Sequence, residues 1–550
     1  VRNKEHLLYN IYKMGRNSIE AGNRDQWSLS PKRVEEIYAA YQKEQRAGRP
    51  DTASSNNTNS RPSTIPSKHF NTVFKDPILR DPRGYIIPAN QPDFPTAVKF
   101  MNSLLLSGIK IHKASADFTV EGKNYPAGSY VIKSSQAFRP HVVDMFEPQD
   151  HPNDFQYPGG PPIAPYDAAG WTPAYSMGFK FDRILNAFDG PFQAINYGEL
   201  QSPKSALPFT NASAGYILDS RTNNSFIVVN DLLQSGAEVY RISNANNNPS
   251  VAQGSFFIPA NSKATTLLKD AATNLGVNAI PASKRPSDIV KLSPQRIALW
   301  DTYGGSMPSG WTRWILEQFH YPFKVIYAND INAGDLRDKY DVILFVSGAI
   351  PSVTARNLGD TSLRRENIPA EYRNTIGRIS ADTSIPQLKR FMEAGGNVLT
   401  IGSSTNLAYH LKLPVRNALV EMQNGKEVAL PREKYYIPGS ILRAKIDSTQ
   451  KASWGMGSEA DIYFDNSPVF NVAPDAIAKG DVTPLIWFAS EKPLRSGWAW
   501  GQEYLQGGVT AFSAPVGKGK LFAFGPEIAF RSQTHGTFKL LFNQLYSDKK

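Results

Sequence analysis

The 550-residue sequence contains no cysteine. That absence excludes disulfides, thiol nucleophiles and cysteine-ligated zinc. Long apolar runs are missing as well. No stretch approaches the roughly 20 apolar residues that a membrane-spanning helix needs, so no membrane span is expected. Runs of one charge are also lacking. Lys and Arg number 60 against 49 Asp and Glu, a net charge of +11 with a pI near 9.3. The cations are scattered and no nucleic-acid motif accompanies them, which argues against nucleic acid as a partner. The basic balance suits work near anionic envelope polymers. With the missing cysteines it points to an exported protein, secreted or periplasmic.

The length is too great for one hydrophobic core, and two to four domains are expected. The chain opens at Val1 on EHLLYNIYKMGRNSIEAG, with apolar residues mostly at helical spacing. A second helix, PKRVEEIYAAYQKEQR, follows with Ser30 as its cap and Val34, Ile37, Tyr38 and Tyr41 on one face. Residues 1–48 are therefore predicted to be terminal helices of a domain that begins upstream. The polar stretch 49–68 reads as an exposed linker.

From residue 69 strands and helices alternate, and the pattern repeats. Gly84-Tyr85-Ile86-Ile87 answers to Gly215-Tyr216-Ile217-Leu218. Gly128-Ser129-Tyr130-Val131-Ile132 answers to Gly254-Ser255-Phe256-Phe257-Ile258. A helix follows each time. The predicted organisation is a first α/β repeat over 69–200, a second over 201–292, and a third unit over 293–550. The third has the rhythm of a doubly wound parallel sheet with a β-rich tail. Between the repeats lies EPQDHPNDFQYPGGPPIAPYDAAGWT, stiffened by proline. Within it Tyr157, Tyr166, Asp167 and Trp171 are the candidate binding residues, because aromatics on a stiff loop bind at low entropic cost. The plainer reading is that they cover the joint between the repeats.

Catalytic constellations are sparse. None of the eight histidines has Glu three residues on. His141 with Asp144, and His151 with Asp154, could contribute to a metal cluster near Asp150. A helix-surface pair and a solvated loop explain them more simply, and no metal site is assigned. The glycine pair Gly304-Gly305 lies before a helix expected near Trp311. It could hold an anion, but a turn is the simpler explanation. Trp300, Trp311 and Trp314 look like core or rim aromatics. Asn56, Asn211 and Asn223 match N-x-S/T, a pattern that by itself carries little weight.

The third unit resembles a class I glutamine amidotransferase sheet. Such enzymes place a cysteine at a sharp strand-to-helix turn, with a distant histidine and glutamate. The matching turn here is Thr400-Ile401-Gly402-Ser403-Ser404-Thr405, and Gly525-Pro526-Glu527 stands where that fold often carries His-Pro-Glu. Both cysteine and histidine are missing. Ser403 or Ser404 as a nucleophile lacks the G-x-S-x-G context, and His410 and His535 lack an evident orienting acid. A retained fold used for binding is expected, with no catalytic residue.

Several stretches together resemble the C-terminal part of large bacterial M14-family zinc carboxypeptidase-like proteins. They are LLYNIYKMGRNSIEAG with Arg24-Asp25-Gln26-Trp27, YPAGSYVIKSSQAFRPHVVDMFEPQ, YPGGPPIAPYDAAGWTPAYSMG and RSQTHGTFKLLFNQLY. The resemblance implies an exported protein with an upstream peptidase domain, which would be this chain's partner and would hold the zinc. It implies hydrolysis of peptides by the parent protein, with peptide as a possible further partner. The family's His-x-x-Glu motif finds no match here. The chain itself is therefore expected to be catalytically inert and without a cofactor. The alternative is a stand-alone α/β binding module for peptide or cell-wall sugar.

Overall fold

Strand pairing reproduces the repeat written in the sequence. The computed structural model describes residues 2–47, 64–244, 251–354 and 368–548. Most of the expected linker, with Asn56, lies outside the described residues. The chain forms two compact units. The first holds Val1–Gln91, Met101–Gln156 and Lys180–Leu200; the second holds Pro92–Phe100, Tyr157–Phe179 and Gln201–Lys550.

In the first unit, α1 (Lys4–Gly22) and α2 (Pro31–Ala47) are the expected helices. The Ser30 hydroxyl accepts the Arg33 N–H at 3.3 Å, as a cap should. Ile37 is the buried residue of the expected α2 face, whereas Val34 is exposed. The apolar side chains of α1 lie in solvent: Leu7, Leu8, Ile11, Tyr12 and Met14 are each more than half exposed.

The first sheet consists of β1 (Gly84–Ile87), β2 (His112–Ala114), β3 (Tyr130–Lys133), β4 (Asp182–Ile184) and β5 (Phe192–Ala194). Its order is β4-β1-β3-β2-β5, and every pair is antiparallel. Ile86, Val131 and Ile184 form its core with Phe118 and Tyr125 of a small hairpin. That hairpin turns at Glu121-Gly122, both with positive φ, the two-residue geometry that matches strand twist.

The second unit carries the other copy: β6 (Gly215–Leu218), β7 (Tyr240–Ile242), β8 (Phe256–Pro259), β9 (Ile280–Ala282) and β10 (Ile289–Pro294). The order is β9-β6-β8-β7-β10, again all antiparallel, so strand for strand the plan is the same. The likeness extends to single hydrogen bonds. Gly128 N–H donates to Ala114 O (2.8 Å) and Gly254 N–H to Ile242 O (2.9 Å), both glycines with left-handed φ. A side chain would be strained there, which is why glycine stands in each copy. The C-terminal strand of the chain, Tyr546–Asp548, pairs with β10.

The same unit holds a twelve-stranded sheet. Its parallel part is β11 (Ile297–Trp300), β12 (Phe323–Ile326), β13 (Val342–Phe345) and β14 (Asn397–Ile401), completed later in the chain by a strand over Gly519–Phe524. The order is β12-β11-β13-β14 followed by that last strand. β11 and β13 are buried at every residue, as strands covered on both faces must be. Crossovers run through α3 (Met307–Gln318), between β11 and β12, and α4 (Ser384–Glu393), between β13 and β14. Numbered along the chain, the order is 2-1-3-4-5, the flavodoxin-like doubly wound arrangement. Beyond Gly519–Phe524 the sheet continues antiparallel through Val509–Val516, Thr483–Trp487, Ser440–Ile446 and Glu459–Phe464. These are the β-rich additions. The fold class is thus the expected one: duplicated α/β units followed by an amidotransferase-like, doubly wound domain. One detail differs. α3 begins at Met307, four residues before the expected start at Trp311, because Pro308 fits the first turn of a helix.

Candidate functional site

In open doubly wound sheets, ligands bind outside the carboxyl ends of the strands, where the strand order reverses. Here that point lies between β11 and β13. After β11, Asp301 accepts the N–H groups of Thr302 and Ser306 at 2.8 Å each. Gly304 and Gly305 both have left-handed φ in this turn. The carboxylate thus takes up N–H groups that an anion would need, and the glycine pair is a turn, not an anion cradle.

After β13 and β14 come two facing loops. Gly348 N–H donates to Ser403 Oγ (2.8 Å), Ser403 N–H donates to Ser347 Oγ (3.2 Å), and the two hydroxyls lie 3.3 Å apart. Ser404 is fully buried and accepts the N–H groups of Ala349 (3.0 Å) and Ile350 (3.1 Å) while donating to Val346 O. Its hydroxyl is committed to the loop. Gly402, with φ of 58°, is the sharp residue of the turn. A Cβ there would meet Glu527 Oε1 at 2.2 Å and Ser347 Oγ at 2.5 Å.

Glu527 therefore occupies the space over the turn. Burial pushes its carboxyl up to about 7, a hydrogen bond from Ser347 opposes that, and Asp465 adds to it. Burial also raises Asp465. At Gly525 a Cβ would stand 2.3 Å from Pro468 O, so a histidine side chain has no room two residues before the glutamate. Of the two remaining sequence candidates, His410 Nε2 lies 2.9 Å from Pro351 O, and His535 Nδ1 lies 3.0 Å from Gln533 O. Burial drives His535 down to about 3, so it stays neutral at ordinary pH.

The Pro-rich stretch contributes to the same end of the domain. Ala169 and Gly170 N–H groups donate to Pro438 O (3.1 Å) and Gly439 O (2.9 Å), and the Thr172 and Ser496 hydroxyls are 2.9 Å apart. This anchoring fixes two of the four predicted residues. Trp171 sits edge-on to Tyr463 (5.6 Å) and Phe530 (5.4 Å). Asp167 Oδ1 accepts from Arg531 Nη2 at 2.6 Å, and that bond holds its carboxyl below the usual range. Phe530 stacks on Tyr463 at 3.8 Å and meets Trp311 edge-on at 5.0 Å. The Arg531 guanidinium lies 4.9 Å from the Phe530 ring and 5.8 Å from that of Trp171. Arg531 and Ser532 both have left-handed φ, 52° and 55°. Consecutive non-glycine residues in that region are strained, and such strain gathers at functional sites. Tyr463 joins the two halves, since the Glu527 N–H donates to its carbonyl at 3.1 Å.

Tyr157 and Tyr166 stay outside the cluster. Tyr166 is fully exposed and Tyr157 largely so. Trp300 is buried, Trp311 is half-buried at the cluster, and Trp314 is exposed. The suspected metal residues do not converge. His141 Nε2 lies 3.1 Å from Ser107 Oγ and His151 Nδ1 lies 2.8 Å from Pro152 O. Among the described residues no three His, Asp or Glu side chains gather as a metal site would require.

Ser347, Tyr463, Asp465, Phe530 and Arg531 went unnoticed in the sequence. Their signal was positional: Ser347 and Asp465 lie just past the ends of β13 and Glu459–Phe464, Tyr463 stands next to last in the latter strand, and Phe530 and Arg531 lie in the loop after Gly519–Phe524.

No protein-family profile matches the sequence, and no curated protein matches it. Solved structures resemble parts of the chain. A ThuA-like protein from Bacteroides uniformis is 10% identical over 48% of this chain and 93% of its own, with a TM-score of 0.26. A GMP synthase protein from Thermoplasma acidophilum is 9% identical over 45% and 94%, with a TM-score of 0.25. A β-galactosidase from Rahnella sp. R3 is 9% identical over 51% of this chain and 34% of its own, with a TM-score of 0.26.

Proposed function

We propose that this chain is the non-catalytic, binding portion of an exported M14-like zinc carboxypeptidase-like protein. One observation carries the non-catalytic part. The sharp residue of the strand-to-helix turn is Gly402, and Glu527 and Ser347 fill the space a nucleophile's side chain would need. A hydrolase built on that turn requires a nucleophile within hydrogen-bond reach of a base. The neutral His535 and the His410 bonded to Pro351 O do not supply one to Ser403 in the described contacts.

The tie to a peptidase rests on the sequence resemblance, and the exposed apolar face of α1 supports it. Leu7, Leu8, Ile11, Tyr12 and Met14 are the residues a preceding domain of the same protein would cover. Zinc and peptide hydrolysis belong to that upstream domain, and this chain would present or retain substrate outside the cell. The second reading, a stand-alone binding module for peptide or cell-wall sugar, is favoured by the exposed Tyr157 and Tyr166 and needs no upstream partner.

The test is carboxypeptidase activity on a mixed peptide library with added zinc. This chain is compared with a form extended upstream by a peptidase domain. Activity in the extended form alone is expected. Activity in the present chain would refute the assignment, and inactivity of both would favour the stand-alone module.

A further inference from the structure

We infer that the cluster of Trp171, Trp311 and Phe530 with Asp167, Arg531 and Glu527 is a binding site for a neutral oligosaccharide. The inference rests on the reading of this chain as a binding portion and adds the chemical class of its ligand. Sugar rings offer two surfaces to a protein. Their C–H faces pack on aromatic rings, and their vicinal hydroxyls pair with planar polar groups that donate and accept side by side. Both kinds of group are present. Trp171 and Trp311 are partly exposed and flank Phe530 at 5.4 and 5.0 Å. Asp167 and Arg531, each a planar polar group, pair at 2.6 Å and are solvent-accessible, with the fully exposed Tyr166 next in the chain. Ser347, Ser403 and Glu527 extend the polar lining to the strand ends.

Charge narrows the class. The ionisable groups acting on Tyr463, at the middle of the cluster, are three carboxyls, Asp465, Asp167 and Glu527, and one guanidinium, Arg531. Arg531, the cation among them, is already paired to Asp167, so these groups offer no unpaired cation to draw an anionic polymer despite the net charge of +11. A cationic ligand finds its place taken, because Arg531 already lies over Phe530 and beside Asp167. An extended peptide is held best along an unpaired strand edge. This site lies across the ends of β11, β13 and β14, each paired on both sides, and where the edge strand Glu459–Phe464 reaches it the Tyr463 carbonyl already accepts the Glu527 N–H. A neutral polyhydroxylated chain satisfies what remains.

The test is isothermal titration calorimetry of the full chain at about pH 6, where Glu527 is mostly protonated. The probes are chitohexaose, cellohexaose, maltohexaose and xylohexaose, with hexaglutamate and hexalysine as charged peptide comparators. Binding of at least one hexasaccharide is expected, weakened about tenfold or more by Trp171→Ala and by Asp167→Asn. Tyr197→Ala, an exposed aromatic of the first unit, should leave it unchanged. Asp167 is exposed, so its variant should fold even if the tryptophan variant does not, and thermal unfolding checks both. Failure of all four sugars, binding indifferent to Asp167→Asn, or binding of only a peptide would overturn the inference. Chromatography of the recovered sugar separates this from the broader reading. An intact sugar with no binding sinks the ligand class alone, whereas a cleaved sugar sinks the non-catalytic assignment.

Discussion

Glu527 Oε1 stands 2.2 Å from where a Cβ on Gly402 would lie. The two residues come from different strand ends, and each explains the other. Glycine permits the left-handed turn at φ 58°, and the missing side chain gives the carboxyl its place.

Gly402→Ala should therefore be costly twice over, through backbone strain and through collision with the carboxyl. A loss on the order of 1–3 kcal/mol is expected in urea unfolding. In a Glu527→Ala background the collision with Oε1 disappears, and the penalty should shrink to the strain and the remaining contact with Ser347. An equal penalty in both backgrounds would show that the two residues do not share this space.

The Glu527 carboxyl gives a pH dependence with a definite sign. Its folded value, about 7, lies above its ordinary 4.5, so between these values the folded chain holds more protons than the unfolded one. Stability should then fall as pH rises from about 4.5 to about 7, by on the order of 3 kcal/mol from this group. The groups facing it are the Ser347 hydroxyl and the Asp465 carboxyl, with the Tyr463 phenol, Asp167 and Arg531 around them. Glu527→Gln should remove that slope and leave the variant more stable than the parent above pH 7. Thermal unfolding across the range measures it.

At the opposite end of the same strands the sign reverses. Asp341 is partly buried, which alone would raise its carboxyl, but its bonds to Arg296 outweigh that and hold it at about 2. Arg296 donates from Nε at 3.0 Å and from Nη2 at 2.9 Å, and its N–H donates at 2.9 Å. This pair contributes stability above the ordinary carboxyl range that is lost as pH falls toward 2. Asp341→Asn should cost roughly 1–3 kcal/mol at neutral pH and flatten the acid limb of the unfolding profile.

The histidine pairs lead to a plainer expectation. His141 contacts Ser107 and His151 contacts the Pro152 carbonyl, so neither is held as a ligand in the described residues. Added chelator should leave the unfolding temperature unchanged, and His141→Ala should cost less than about 1 kcal/mol. A chelator-induced drop would reveal a structural metal.

Much of the fold was legible because period and burial agree. IALW and VILF read as strands buried on both faces, and the repeated Gly-Tyr-Ile segments became β1 and β6 of two sheets with one plan. The site was legible only in part. Asp167 and Trp171 stood out because proline and aromatics crowd around them. Ser347, Tyr463 and Arg531 could not be joined to them, because periodicity finds strands without giving their order, and the order brings these ends together. The apolar face of α1 illustrates the opposite limit. Spacing predicts the helix, but not whether its face meets a partner.

The most direct test of a binding rather than catalytic role is mass spectrometry after exposure to a fluorophosphonate probe, which labels activated serines. No adduct is expected on Ser403 or Ser404: Ser404 is committed to the Val346 loop, and Ser403 has no base within reach in the described contacts. A stoichiometric adduct on Ser403, lost in Ser403→Ala, would contradict the inert turn and make these strand ends an active site.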